Sequence, residues 1–85
     1  MITKEILEEN NIFPIKFEII ETKDEESCNF YIIYYTENVY FYISEYSDIE
    51  YYLTIYKKTL KSFKTINCHS LDKVIKTIKD EIQTE

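Results

Sequence analysis

The sequence predicts an α+β domain: an antiparallel meander of three to five strands with an N-terminal and a C-terminal helix packed on one face. Three observations carry this reading. From Ile15 into the middle of the chain, apolar residues recur with a period of two, as half-buried strands require. From Leu71 to Ile82 they recur at i, i+3, i+4, i+7 and i+11, as an amphipathic helix requires. Finally, 85 residues that are 45% hydrophobic and 31% charged suffice for one core, so residues 1–85 form a single domain.

The elements follow in order. Residues 3–10 read as a short helix, with Thr3 as its cap and Ile2 set to pack on Leu7 as a hydrophobic staple. Asn10-Asn11 ends it, because Asn tolerates the left-handed conformation that Gly usually supplies. Pro14 favours an extended entry to a first strand that ends near Thr22, followed by the polar run Lys23-Asp24-Glu25-Glu26-Ser27. Residues 29–36 and 39–45 read as a second and a third strand joined at Glu37-Asn38, where Asn38 can accept a positive φ.

Residues 47–66 admit two readings. As a helix, Ser47-x-x-Glu50 is a capping box, and Ile49, Tyr52, Leu53, Tyr56, Leu60 and Phe63 form a stripe. As strands, Tyr51 to Tyr56 is aromatic and β-branched, Lys57 to Lys61 is a turn, and Ser62 to Asn67 is a fifth strand. The propensities favour strands, with helix at 48–61 as the competitor. Ser70 then caps a final helix whose Lys73, Lys76 and Lys79 face water.

Composition narrows the chemistry. The chain has no Gly, Trp, Ala or Arg. Without Gly there is no P-loop, dinucleotide fingerprint, nucleophile elbow or EF-hand loop. Without Arg there is no bidentate clamp for phosphate. The absent residues have GC-rich codons, which points to an AT-rich genome and suits a phage or plasmid gene. Cys28 and Cys68 lie far apart and form no C-x-x-C; with no apolar stretch of signal or membrane length, a cytosolic protein with free thiols is expected. His69 beside Cys68 reads as a turn residue, because a catalytic pair needs spatial and not sequential adjacency. No enzyme activity, metal or cofactor is expected.

Charge is uneven. Residues 1–50 carry a net −9 and residues 51–85 a net +3. An acidic face presented to a basic protein partner is one reading, and a solvated edge that blocks sheet aggregation is the other. Direct nucleic-acid binding is not expected of an acidic chain without Arg. Alternation assigns Ile15, Phe17, Ile19, Phe30, Ile32 and Tyr34, with Val39, Phe41, Ile43 and Leu53, to the core. It places Tyr31, Ile33, Tyr35, Tyr40, Tyr42, Tyr52 and Tyr56 on the opposite face. Tyrosine offers large rigid contact area with a polar tip, so these six tyrosines are candidate partner-binding residues. The carboxylates Asp24, Glu25, Glu26, Glu37, Glu45, Asp48 and Glu50 complete the candidate surface.

A short N-terminal helix, three antiparallel strands, and a third strand running through Ile43-Ser44-Glu45 into an acidic, Ser-containing segment resemble the small acidic anti-CRISPR proteins of phages. The similarity is nearest to those that imitate DNA at the PAM-reading site of an RNA-guided nuclease, and it covers residues 2–50. It implies a helix after the third strand, and acidic contacts at Glu37, Glu45, Asp48 and Glu50. The C-terminal half departs from the pattern in being basic. The sequence thus leads to a non-enzymatic inhibitor that binds a basic protein surface, such as that of a nuclease complex. A small structural or adaptor protein that homo-oligomerises through its tyrosines is the alternative.

Overall fold

The computed structural model describes residues 1–20 and 28–83. Two helices and five strands follow one another as α1 (Lys4–Glu9), β1 (Lys16–Ile20), β2 (Asn29–Tyr34), β3 (Val39–Ser47), β4 (Glu50–Lys57), β5 (Ser62–Cys68) and α2 (Leu71–Gln83). The strands pair antiparallel in the order β1-β2-β3-β4-β5, each beside its neighbour in sequence. The α+β meander of the sequence is therefore present with all five strands.

Local chemistry sets the ends of each element. The Thr3 hydroxyl accepts the Ile6 N–H, so α1 starts with a satisfied donor. Asn11, at φ 61°, takes the left-handed position that turns the chain away. Ser70 Oγ accepts the Lys73 N–H and caps α2. Across 47–66 the strand reading holds. Ser47 and Glu50 face each other across a tight turn, and Ser47 Oγ accepts the Ile49 N–H. Ser47 to Glu50 is thus a hairpin turn and no capping box, and the helix implied there by the anti-CRISPR resemblance does not form. Aromatic and β-branched side chains suit a pleated surface and lose rotamer freedom in a helix, so 51–56 pairs on both sides as β4.

One face of the sheet is the core. Tyr31, Ile33, Phe41, Ile43, Leu53 and Cys68 have no exposed surface, and Tyr51 and Ile55 almost none. Ile2, Leu7 and Ile12 seal this face from the N-terminal side, and Val74, Ile75 and Ile78 of α2 from the other. Full burial of one such side chain contributes roughly 1.5–3 kcal/mol.

The structure reverses the faces expected for β2. Tyr31 and Ile33 lie in the core, while Phe30, Ile32 and Tyr34 face the other way. Tyr35 is half-buried and packs against the core as well. The cause is one residue in the β2–β3 loop. A two-residue turn at Glu37-Asn38 sets Tyr34 opposite Phe41, whereas the structure pairs Tyr34 with Tyr40. Tyr35 and Thr36 both donate to the Val39 carbonyl, and the Thr36 hydroxyl accepts from Asn38 and Val39. That leaves Thr36, Glu37 and Asn38 in the loop. A shift of one residue moves every side chain of a strand to the opposite face. Among the described residues the positive φ values fall at Asn11 and Lys61, not at Asn38. Ile15, also assigned to the core, is exposed ahead of β1, and Ile19 is largely exposed on that edge strand.

Candidate interaction face

Among the described residues, the second face of the sheet carries no helix. Strand pairing arranges its side chains in three rows that cross all five strands. The first row is Lys16, Tyr34, Tyr40, Tyr56 and Phe63. The middle row is Glu18, Ile32, Tyr42, Thr54 and Thr65, and the third is Ile20, Phe30, Ser44, Tyr52 and Asn67. Tyr42 therefore sits at the centre, on the middle strand and in the middle row.

Side-chain contacts follow the rows. The Tyr40 ring lies 4.6 Å from Tyr56 and 5.8 Å from Tyr34, and Lys16 Nζ stands 5.6 Å from the Tyr34 ring centre. Phe30 meets Tyr42 at 5.9 Å, and Thr54 and Thr65 share a 3.0 Å hydrogen bond between their hydroxyls. Tyr46 meets Tyr52 edge-on at 5.4 Å and extends the aromatic surface past the β3 irregularity between Glu45 and Ser47. Such cross-strand pairs stabilise a sheet by a few tenths to about 1 kcal/mol each. Phe30, Tyr34, Tyr40, Tyr42, Tyr52 and Tyr56 are half-buried, while Tyr46 is 50% and Phe63 72% exposed. Burial among neighbouring rings, and then the nearby phenols, push the Tyr40 hydroxyl above its ordinary pKa. Burial does the same at Tyr42. Both are neutral near pH 7 and can donate or accept a hydrogen bond.

Of the six tyrosines assigned from sequence, Tyr40, Tyr42, Tyr52 and Tyr56 lie on this face, whereas Tyr31 and Tyr35 do not. Tyr34 and Tyr46 take their places. The signal for Tyr34 was its ring chemistry; its face depended on the loop register. Phe63 and Thr65 were also missed, although the period of two continues through β5.

The carboxylates do not gather on one edge. Asp48 and Glu50 are exposed at the β3–β4 turn, while Glu37 is exposed at the opposite end, in the β2–β3 loop. Asp24, Glu25 and Glu26 lie outside the described residues. Glu45 is 7% exposed and points into the core, so it is not available to a partner. Its Oε1 accepts hydrogen bonds from Tyr31 Oη and Asn29 Nδ2, both at 3.0 Å, and its Oε2 faces the Met1 α-amino group at 3.4 Å. Burial works to raise the Glu45 pKa, but the bonds from Asn29 and Tyr31 and the nearby α-amino charge outweigh it, and the carboxyl stays below its usual range. Burial, aided by Glu45, pushes Tyr31 up to about 12. The alternation Val39, Phe41, Ile43 pointed to Glu45 as the next core-facing position.

Lysines mark the other end. Lys58 and Lys61 are exposed at the β4–β5 turn, and Glu81 of α2 bridges Lys57 at 3.2 Å and Lys64 at 3.4 Å. The molecule is thus acidic at the β3–β4 turn and basic at the β4–β5 turn.

Elsewhere the chemistry is less organised. A groove of about 390 Å³ between the helices, lined in part by Ile6, Asn10, Asp72, Lys76 and Lys79, mixes both signs of charge. Cys68 is fully buried and burial raises its pKa, which keeps it a thiol; His69 beside it is exposed. Among the described residues no group of three or more His, Cys, Asp or Glu could hold a metal ion, and no helix is long and apolar enough to cross a membrane.

These features define a small α+β protein whose sheet, among the described residues, has one helix-covered face and one open aromatic face. No protein family, curated protein or solved structure matches the chain.

Proposed function

We propose that this chain is a non-enzymatic binding protein that acts by covering a protein surface with its tyrosine face, as an inhibitor encoded by a phage or other mobile element does. One observation carries the reading. A five-strand sheet gives most of one face to rings and hydroxyls, with charge on it confined to Lys16 and Glu18 of β1, in a chain that is 31% charged. Contiguous apolar surface of that kind marks interaction sites, and tyrosine is enriched at such sites because it offers area at little entropic cost.

Inhibition of an RNA-guided nuclease is the specific form of this proposal. In it the tyrosine face supplies contact area, and Asp48 and Glu50 at the β3–β4 turn meet the target's basic surface. The test is capture of partners from a host lysate at low and high salt, followed by a DNA-cleavage assay with a guide-loaded nuclease. Wild type should capture a partner and slow cleavage, and Tyr40→Asp should do neither while keeping a native circular-dichroism spectrum. Capture that persists in Tyr40→Asp removes the face from the mechanism. Binding through carboxylates that stand in for phosphates weakens steeply with salt, so salt-resistant capture assigns the contact to the tyrosines and excludes DNA imitation.

A further inference from the structure

We propose that the tyrosine face is covered by a second copy of this chain, stacked face to face with its strands reversed, so that two sheets close on each other and the helices lie outside. This rests on the reading of the face as a binding surface and names what occupies that face when no target is bound.

The chemistry of the face comes first. Lys16 and Glu18 are the charged members of the three rows, and they sit together on β1 with Nζ and Oε1 2.6 Å apart. The remaining positions are rings, aliphatic side chains, hydroxyls and one amide. A phosphate chain or a strongly charged protein finds almost no counter-charge there. Tyrosine and threonine hydroxyls both donate and accept, and rings pair with rings, so such a face suits a copy of itself.

Area is sufficient. Five strands about 4.8 Å apart and three rows about 6.8 Å apart cover on the order of 500 Å². Two copies then bury about 1,000 Å², at the threshold for a specific interface.

Orientation follows from β4. Its even-numbered positions and the residue just beyond it read Glu50, Tyr52, Thr54, Tyr56, Lys58. Laid antiparallel on itself, this run sets Thr54 on Thr54, Tyr52 on Tyr56, and Glu50 on Lys58. Laid parallel, it sets Glu50 on Glu50 and Lys58 on Lys58. The β3–β4 and β4–β5 turns agree, because reversal brings Asp48 of one copy to the Lys58 and Lys61 end of the other, an end that also carries Glu37 in the β2–β3 loop. Aligned sheets pack about 30° apart, so a two-fold axis near the central Tyr42 keeps β3 and β4 in contact. The β1 edges, with Lys16 and Glu18, form the polar rim of the contact.

Light scattering over a concentration series tests this. Wild type should dimerise, and Tyr42→Asp should remain monomeric with a native spectrum. Glu50→Lys and Lys58→Glu, both at exposed positions, should each weaken the dimer about tenfold, since each creates like-charge contacts twice per dimer. The double exchange Glu50→Lys/Lys58→Glu should restore most of the loss. A wild type that stays monomeric, or a dimer indifferent to both reversals, overturns the proposal. If wild type is monomeric while Tyr42→Asp still abolishes partner capture from lysate, the face binds a different protein and only self-pairing is wrong. If Tyr42→Asp changes neither, both readings fail.

Discussion

Phe41 and Tyr42 are neighbours on β3, yet they belong to different environments. Phe41 has no exposed surface and is enclosed by both helices' side of the sheet; Tyr42 is half-buried among rings on the side without helices. The same contrast separates Leu53 from Thr54 on β4. Two faces drawn from the same strands therefore differ in kind, with the sealed core on one and half-buried rings on the other.

The largest test of that division compares the two neighbours. Phe41→Ala opens a cavity in a sealed core and should cost about 3–5 kcal/mol. Tyr42→Ala, measured in dilute solution, should cost under about 1 kcal/mol, the scale of a cross-strand contact. Urea denaturation reads both, and equal losses would erase the distinction between the faces.

Glu45 gives the next effect, because it is a charged group on the stable face. Glu45→Gln keeps the shape and removes the charge that holds Tyr31 and Asn29, and should cost about 1–3 kcal/mol. The pH dependence has a definite sign. The Glu45 carboxyl sits below its ordinary value of 4.5 in the folded state, so its contribution is complete above that value and is lost as pH falls through the folded pKa. Glu81 acts in the same direction: burial raises its pKa, and Lys57 and Lys64 more than reverse this. On the alkaline side, neutral Tyr31 contributes fully below pH 10, and its contribution disappears as pH rises from 10 toward about 12. Thermal melts across pH should show the acid-side decline shallower in Glu45→Gln than in wild type.

Smaller effects belong to the open face and the basic end. A double-mutant cycle on Tyr40 and Tyr56, with rings 4.6 Å apart, should return a coupling of about 0.5–1 kcal/mol. Glu81→Gln should cost under about 1 kcal/mol, and added salt should shrink the difference, since both bridges are partly exposed.

Much of the fold was legible from residue chemistry alone. Thr3, Asn11 and Ser70 mark helix ends by mechanisms that act within four residues, and the strand propensity of Tyr51 to Tyr56 outweighed a capping box that matched only two positions. The meander order also followed from short connections, with three to five strands expected and five formed. The face of β2 was not legible. Phe30, Ile32 and Tyr34 are as apolar as Tyr31 and Ile33, so composition could not choose between them; hydrogen bonds around Thr36 did. Within the candidate face, Tyr40, Tyr42, Tyr52 and Tyr56 followed from alternation in β3 and β4, whereas Tyr34 depended on that loop. Glu45 was assigned to a surface for its charge alone, although its place after Val39, Phe41 and Ile43 fixes it inside.

The Thr36-Glu37-Asn38 loop acts as a phase setting for the strand before it. Its length decides whether β2 sends two aromatics and an isoleucine to solvent or one tyrosine and an isoleucine. Deleting one of its residues leaves composition, charge and strand propensity almost untouched, yet presents the other half of β2 to whatever meets the open face. Drift in such a surface can thus proceed by length as well as by substitution, with a single codon exchanging what is shown for what is hidden.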